Sequence, residues 1–136
     1  MNAVVDTNVV AYFLLGTEEF VEEARRFWQN VKRPMAPALW EAELANAVWM
    51  AVRAKILKPE QAPKRLTLAG ALGIESVSAR PLWHGALTRA VNSGVAVYDT
   101  LFVELAARER LPLATFDRKI LDSFPEVARR PHALTG

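Results

Sequence analysis

The chain opens on a short apolar run, Ala3-Val4-Val5, that stops at Asp6. A β-branched run bounded by a polar residue predicts a buried strand. Thr7 to Leu15 continues as a helix that Gly16 ends. Thr17 reads as the N-cap of the next helix, with Glu18 and Glu19 at the positive end of its dipole. Phe20, Ala24, Phe27, Trp28 and Val31 carry that helix at a spacing of three to four residues. Pro34 to Pro37 is an extended piece. Leu39 to Ile56 predicts a long helix, apolar on most of its surface and so packed on more than one side, which Lys58-Pro59 breaks. Beyond it the pattern predicts a helix over Glu60–Leu72, a strand over Ile74–Val77 and a helix over Pro81–Val91. After a turn at Gly94, Asp99 starts a helix over Thr100–Arg110, and Val95 to Tyr98 before it reads as a possible strand. Leu113-Ala114-Thr115 is a strand, and Asp117 begins a short helix through Leu121. The end of the chain, with Pro125 and Arg129-Arg130-Pro131, reads as loose or as a short final strand.

Strands alternating with helices predict βαβ units, a parallel sheet and helices on both of its faces. The 136 residues contain no repeat, no low-complexity segment and no linker, so one domain over 1–136 is expected, with a core of about 2–124. A 51% hydrophobic composition supplies a core without disulfide staples. The longest early apolar run, Val9 to Leu15, is far short of the roughly 20 residues a membrane span needs, and it follows an acid rather than a basic leader. A soluble, cytoplasmic protein with no membrane partner is the expectation. There is no cysteine, which excludes thiolate zinc sites, iron–sulfur clusters and a catalytic thiol. His84 and His132 are too few for a histidine-rich metal site.

Where the acids fall is more telling than the net charge of +2. Aspartate is scarce: Asp6, Asp99, Asp117 and Asp122 only. The first three each directly precede a predicted helix, and junctions of that kind in a parallel sheet share its carboxyl edge, where such folds build their sites. Taken singly, each is simplest read as an N-cap. Taken together, three carboxylates at one edge repel one another unless a cation sits among them. Asp122 lies inside the last short helix and reads as surface. A fourth acid can come from the long helix, where Glu41 and Glu43 lack a basic residue three or four places away. Two residues turn a helix by roughly 200°, so only one of them can face the cleft. The residues alone hardly separate the two, with solvation the simpler reading of Glu41. Oxygen ligands without cysteine select a hard cation, Mg²⁺ or Mn²⁺, and the chemistry that fits is hydrolysis of a phosphodiester.

These residues resemble the PIN domains and, within them, the VapC-type toxins. Val4-Val5-Asp6-Thr7-Asn8 matches the family's opening strand and first acid. Glu43 followed by Asn46 is similar to its helical Glu with an Asn one turn later, which favours Glu43 over Glu41. Tyr98 to Ala106 resembles the third acidic motif, and Leu113 to Lys119 the last, a strand ending in Thr, one residue, then Asp. The likeness spans residues 2–124 in four ordered motifs. It implies a three-layer α/β/α sandwich with a central, mostly parallel sheet and a Mg²⁺- or Mn²⁺-dependent endoribonuclease. It also implies the toxin of a type II pair, a homodimer silenced by an antitoxin protein. On the same match Asp6, Glu43, Asp99 and Asp117 would be metal ligands, directly or through water. Asn8 and Thr115 would orient carboxylates or waters.

With the four candidate acids set aside, 17 basic residues face 11 acidic ones, a positive surround suited to a polyanion such as RNA. Arg118 and Lys119, just after Asp117, are candidates for substrate-backbone contacts; a solvated first helical turn is the simpler alternative. Trp28, Trp40, Trp49 and Trp83 read as core or dimer packing before base stacking. His84 reads as a polar helix position, and His132 as part of a mobile tail.

Two other readings compete. A non-catalytic RNA- or protein-binding module on the same fold would betray itself by the loss of one of the four acids, and none is lost. A phosphoacceptor or phosphatase of another doubly wound fold places paired acids after one strand and a lysine after a late one. Here nothing acidic lies within two residues of Asp6, and Ala114 and Thr115 stand before Asp117.

Overall fold

Ala3, Val4 and Val5 have no exposed surface because strand β1 (Asn2–Val5) is the middle strand of the sheet. This arrangement comes from a computed structural model, which describes residues 1–135. The other strands are β2 (Arg33–Pro37), β3 (Glu75–Val77), β4 (Leu113–Ala114) and β5 (Ala128–Arg129). They lie in the order β3-β2-β1-β4-β5, and every pairing is parallel, in keeping with the mostly parallel sheet expected. Val4 pairs with Met35 on one side and Val5 with Ala114 on the other.

Seven α-helices among the described residues cover the sheet: α1 (Thr7–Leu15), α2 (Val21–Asn30), α3 (Trp40–Arg53), α4 (Ala62–Gly70), α5 (Trp83–Ser93), α6 (Val97–Glu109) and α7 (Arg118–Ser123). Helices α1 to α4 pack on one another as one layer. Helix α6 lies against β1, β2 and β4 with α5 outside it, which completes the α/β/α sandwich. Seven consecutive residues of α6, Thr100 to Ala106, are buried, so this is a helix without a wet face over its middle. No helix among the described residues is long and apolar enough to cross a membrane.

Some expectations change here, and the choice left open at the end of the chain is settled. Helix α2 begins at Val21, not after a Thr17 cap. The segment 17–20 is a turn closed by Phe20 and Val21 N–H groups on the Thr17 carbonyl, and Phe20 turns its ring onto Tyr12 at 4.7 Å. Residues 95–98 form no strand. Val95 is buried, Ala96 is the extended N-cap, and the Thr100 hydroxyl ties the start of α6 to the Ala86 carbonyl of α5 at 2.7 Å. The end of the chain is the short final strand rather than a loose tail, since β5 pairs with β4. Past it, residues 131–134 form a 3-10 turn docked on α2, where Glu23 accepts from Arg130 Nη2 at 2.6 Å and from the His132 backbone at 3.0 Å. His132 is therefore held rather than mobile. Finally, α3 stops at Arg53 and is wet on one side: Trp49 is 52% exposed.

One helix contact carries a prediction against propensity. Glu104 is a buried carboxylate on α6, bound to Arg89 Nε at 2.8 Å and Arg108 Nε at 2.7 Å. A Cβ on Gly85 of α5 would stand 2.3 Å from that carboxyl group. Ala in place of a helical Gly ordinarily stabilises by about 1 kcal/mol. Here Gly85→Ala must push aside a carboxylate held by two guanidiniums, and a loss of about 1–3 kcal/mol is expected in a urea melt. A more stable Gly85→Ala would show that the α5–α6 contact is slack.

Candidate active site

The strand order reverses at β1: the chain proceeds outward through β2 and β3, then returns to place β4 and β5 on the other side. In open parallel sheets the crevice beyond the carboxyl ends at such a switch point is the usual binding place. Asp6 leaves β1 there and Thr115 leaves β4 beside it, the Asp6 N–H bonding to the Ala114 carbonyl at 3.0 Å.

Asp6 is buried and collects three donors. Oδ1 accepts from Thr7 N–H at 2.8 Å as the cap of α1, and Oδ2 accepts from the Thr115 hydroxyl at 2.7 Å and from Asn8 Nδ2 at 3.3 Å. Asn8 Oδ1 in turn accepts from Phe116 N–H at 3.2 Å, and Thr115 Oγ1 accepts from Asp117 N–H at 3.0 Å. Residues more than 100 positions apart are thus locked in one network. Asp117 caps α7 by accepting from Ile120 N–H on Oδ1 at 3.1 Å, which leaves Oδ2 without a protein donor among the described residues. The capping reading is correct for both aspartates, and both caps stand at the carboxyl edge of the sheet.

Glu43 and Glu41 now separate. Glu43 is half-buried and accepts from the Thr7 hydroxyl at 2.7 Å, whereas Glu41 is exposed. Thr7 is a residue the sequence did not single out. The available signal was its position directly after Asp6, on the first turn of the helix that Asp6 caps. Asp99 does not precede its helix but lies in the first turn of α6. It reaches the same edge because α6 feeds the parallel strand β4 and so runs back from the carboxyl edge. Asp122 is exposed.

The electrostatics tie the four acids together. Burial pushes the Asp6 carboxyl up to about 7, with Asp99 and Glu43 adding to the rise against the Thr115 and Thr7 hydrogen bonds. Burial also raises Glu43, offset by the Thr7 hydroxyl and reinforced by Asp99. Asp99 is raised by burial and then by Asp117, while Lys119 pulls it down. Asp6, Glu43 and Asp99 are therefore each raised in part by another acid of the set. No three acidic or histidine side chains among the described residues stand close enough to form a ready cage for an ion. The donor set nevertheless fits a hard divalent cation: all oxygen, mutually repelling as it stands, and with Asp117 Oδ2 and both Asp99 oxygens without a protein donor among the described residues.

Around this centre, Lys119 lies beside Asp99 and donates to the Gly94 carbonyl at 3.0 Å, while Arg118 is exposed. Asn46 is exposed, with its Nδ2 donating to Met50 Sδ on α3 at 3.7 Å. Trp28 and Trp40 are structural, donating their indole N–H to the Val9 carbonyl at 3.1 Å and to Ser76 at 2.8 Å. Trp83 is 51% exposed and His84 is exposed, on α5.

Comparison with known proteins gives the family. The model of the PIN domain family matches residues 3–129, from β1 through β5. Ribonuclease VapC3 of Pyrobaculum aerophilum is 30% identical over 129 residues, 92% of this chain and 96% of that protein. A parallel sheet with acids gathered at its switch point, matched from first strand to last, makes this chain a member of the PIN domain family.

Proposed function

We propose that the chain is an endoribonuclease of the VapC type, dependent on Mg²⁺ or Mn²⁺, with Asp6, Glu43, Asp99 and Asp117 as its acidic centre. The observation that carries the reading is the convergence of these four acids at the switch point of the sheet, where the Asp6 network joins β1, α1 and β4 and Glu43 joins it through Thr7, within a chain whose remaining charges are net positive. A divalent ion bound there would supply an activated water and charge neutralisation at phosphorus. The protein's own part is orientation. Thr115, Asn8 and the Thr7 N–H fix both oxygens of Asp6, the Thr7 hydroxyl fixes Glu43, and the Ile120 N–H fixes one oxygen of Asp117. Such fixing keeps the carboxylates from collapsing onto other donors before substrate arrives.

The same reading makes residues 1–136 one cytoplasmic nuclease domain, the toxin of a type II pair with an antitoxin partner, acting as a homodimer. Trp83, Leu87 and Val91 recur on one face of α5 and are all exposed, which offers an apolar surface for such a contact. The direct test is cleavage of a labelled RNA by the full chain with Mg²⁺, with Mn²⁺ and with chelator. Cleavage that persists undiminished in chelator would sink the metal-dependent reading.

Substrate contact gives a second measurable expectation. If Arg118 binds a phosphate, RNA affinity falls with salt through counterion release, and Arg118→Ala flattens the slope of log K against log salt by about 0.7 for the one phosphate no longer neutralised. Lys119→Ala is a less clean variant, since it also removes the cation that holds Asp99 down and the bond to Gly94. An unchanged slope in Arg118→Ala would leave that residue as ordinary surface charge.

A further inference from the structure

Tyr12 lies one helical turn after Asn8 on the same face of α1, and Asn8 is the residue that joins Asp6, Thr115 and Phe116. The Tyr12 ring is held from several sides. It stacks on Phe20 with centroids 4.7 Å apart and planes at 16°, and tilts against Phe116 at 5.4 Å, while Phe20 and Phe116 meet at 4.7 Å. The Arg130 guanidinium covers this pair, 5.0 Å from the Phe116 centroid and 5.6 Å from that of Phe20, and is itself gripped by Glu23. Segments from α1, the 17–20 turn, the β4–α7 junction and the end of the chain converge to fix one aromatic ring.

Packing alone would be served equally by phenylalanine. The hydroxyl is the one polar atom of the three-ring cluster, and no hydrogen bond to it is formed among the described residues. Burial raises the phenol's pKa, and Asp6 and then Asp117 raise it further, so the group stays a protonated donor at any working pH. A donor one helical turn from Asn8, which orients Asp6, and with no partner among the described residues, suits an acceptor that arrives from outside. We propose that the Tyr12 hydroxyl is a substrate-positioning group, donating a hydrogen bond to a phosphate oxygen of the RNA backbone beside the scissile bond. This rests on the ribonuclease reading above and extends it to a named contact.

The test uses the full chain and a fluorescein-labelled RNA of randomised sequence, with Mg²⁺ or Mn²⁺. Tyr12→Phe keeps the stack and deletes one donor to a charged acceptor, so kcat/KM is expected to fall by about tenfold or more at an unchanged Tm. Because the donor is neutral, the loss should be the same at low and high salt, unlike that of Arg118→Ala. Wild-type rates in Tyr12→Phe, or a loss that appears only together with a lower Tm, would overturn the contact and leave the ribonuclease reading standing. A wild-type chain that cleaves no RNA with either metal, and is no different from Asp6→Asn, would remove the ribonuclease reading and this proposal with it.

Discussion

Asp6→Asn is expected to slow RNA cleavage by roughly 10³ while the protein remains folded, the scale on which single charged or oriented groups act in active sites. The substitution preserves shape and keeps an oxygen for the Thr7 N–H, so the helix cap survives. What disappears is the negative charge, and with it the acceptor that the Thr115 hydroxyl and Asn8 Nδ2 now satisfy. Asp6 is the right acid to choose first because it is the most buried of the four and the one that both neighbouring strands position. Glu41→Gln and Asp122→Asn, on exposed side chains, should stay within about twofold of wild type, as surface changes usually do. Initial rates on a labelled RNA with Mg²⁺ or Mn²⁺ decide it. Full activity in Asp6→Asn would refute the site.

The acids that the sequence can place are those whose position depends on local chain chemistry. A β-branched run ending in Asp and followed by a helix already defines a strand-to-helix junction, and Asp6 and Asp117 occupy two of them as true caps. Asp99 stands at the edge its sequence suggests, but for a different local reason. Val95 and Val97 look like strand residues, yet Val95 is buried on its own and Val97 opens α6, because the Thr100 hydroxyl docks that turn onto α5. Tertiary contact overrides propensity there. The choice between Glu41 and Glu43 illustrates the opposite limit. Helical geometry says only that the two diverge, and what selects Glu43 is a hydroxyl 36 positions earlier in the chain.

Long-range pairing also explains the features that local patterns do not reveal. Strand β5 is two residues long, too short to show an alternation, and exists because β4 lies beside it. The turn at 17–20 carries good capping residues, but stacking of Phe20 on Tyr12 and Phe116 draws the chain away from an early helix start. Gly85 looks like an indifferent helix residue until the Glu104 carboxylate is seen to fill the place of its missing side chain. In each case the decisive partner lies outside the local segment, where neither periodicity nor propensity reaches.

Stability tests the acidic centre with no substrate present. In chelator the four carboxylates only repel, and a like charge nearby raises a carboxyl pKa. The Asp6 carboxyl, at about 7 in the folded chain against 3.8 as its ordinary value, binds its proton more tightly folded than unfolded. Its stabilising contribution is therefore complete below about pH 4 and lost as pH rises to about 7, so the metal-free protein should weaken across that window by a few kcal/mol. Asp99 provides the cleaner variant, because its side chain makes no protein hydrogen bond among the described residues and Asn removes only the charge. At pH 8 in chelator, Asp99→Asn should melt at or above wild type, gaining up to about 1 kcal/mol after solvent screening, or about 3 °C. Millimolar Mg²⁺ or Mn²⁺ should then reverse the order. Binding to the folded state alone adds about 2.7 kcal/mol when the ion is at 100 times its Kd, and the variant, short of one ligand, gains much less. Thermal melts of both proteins, with chelator and with metal, separate the cases. Equal metal shifts in the two, or none in either, would mean that these acids do not share an ion.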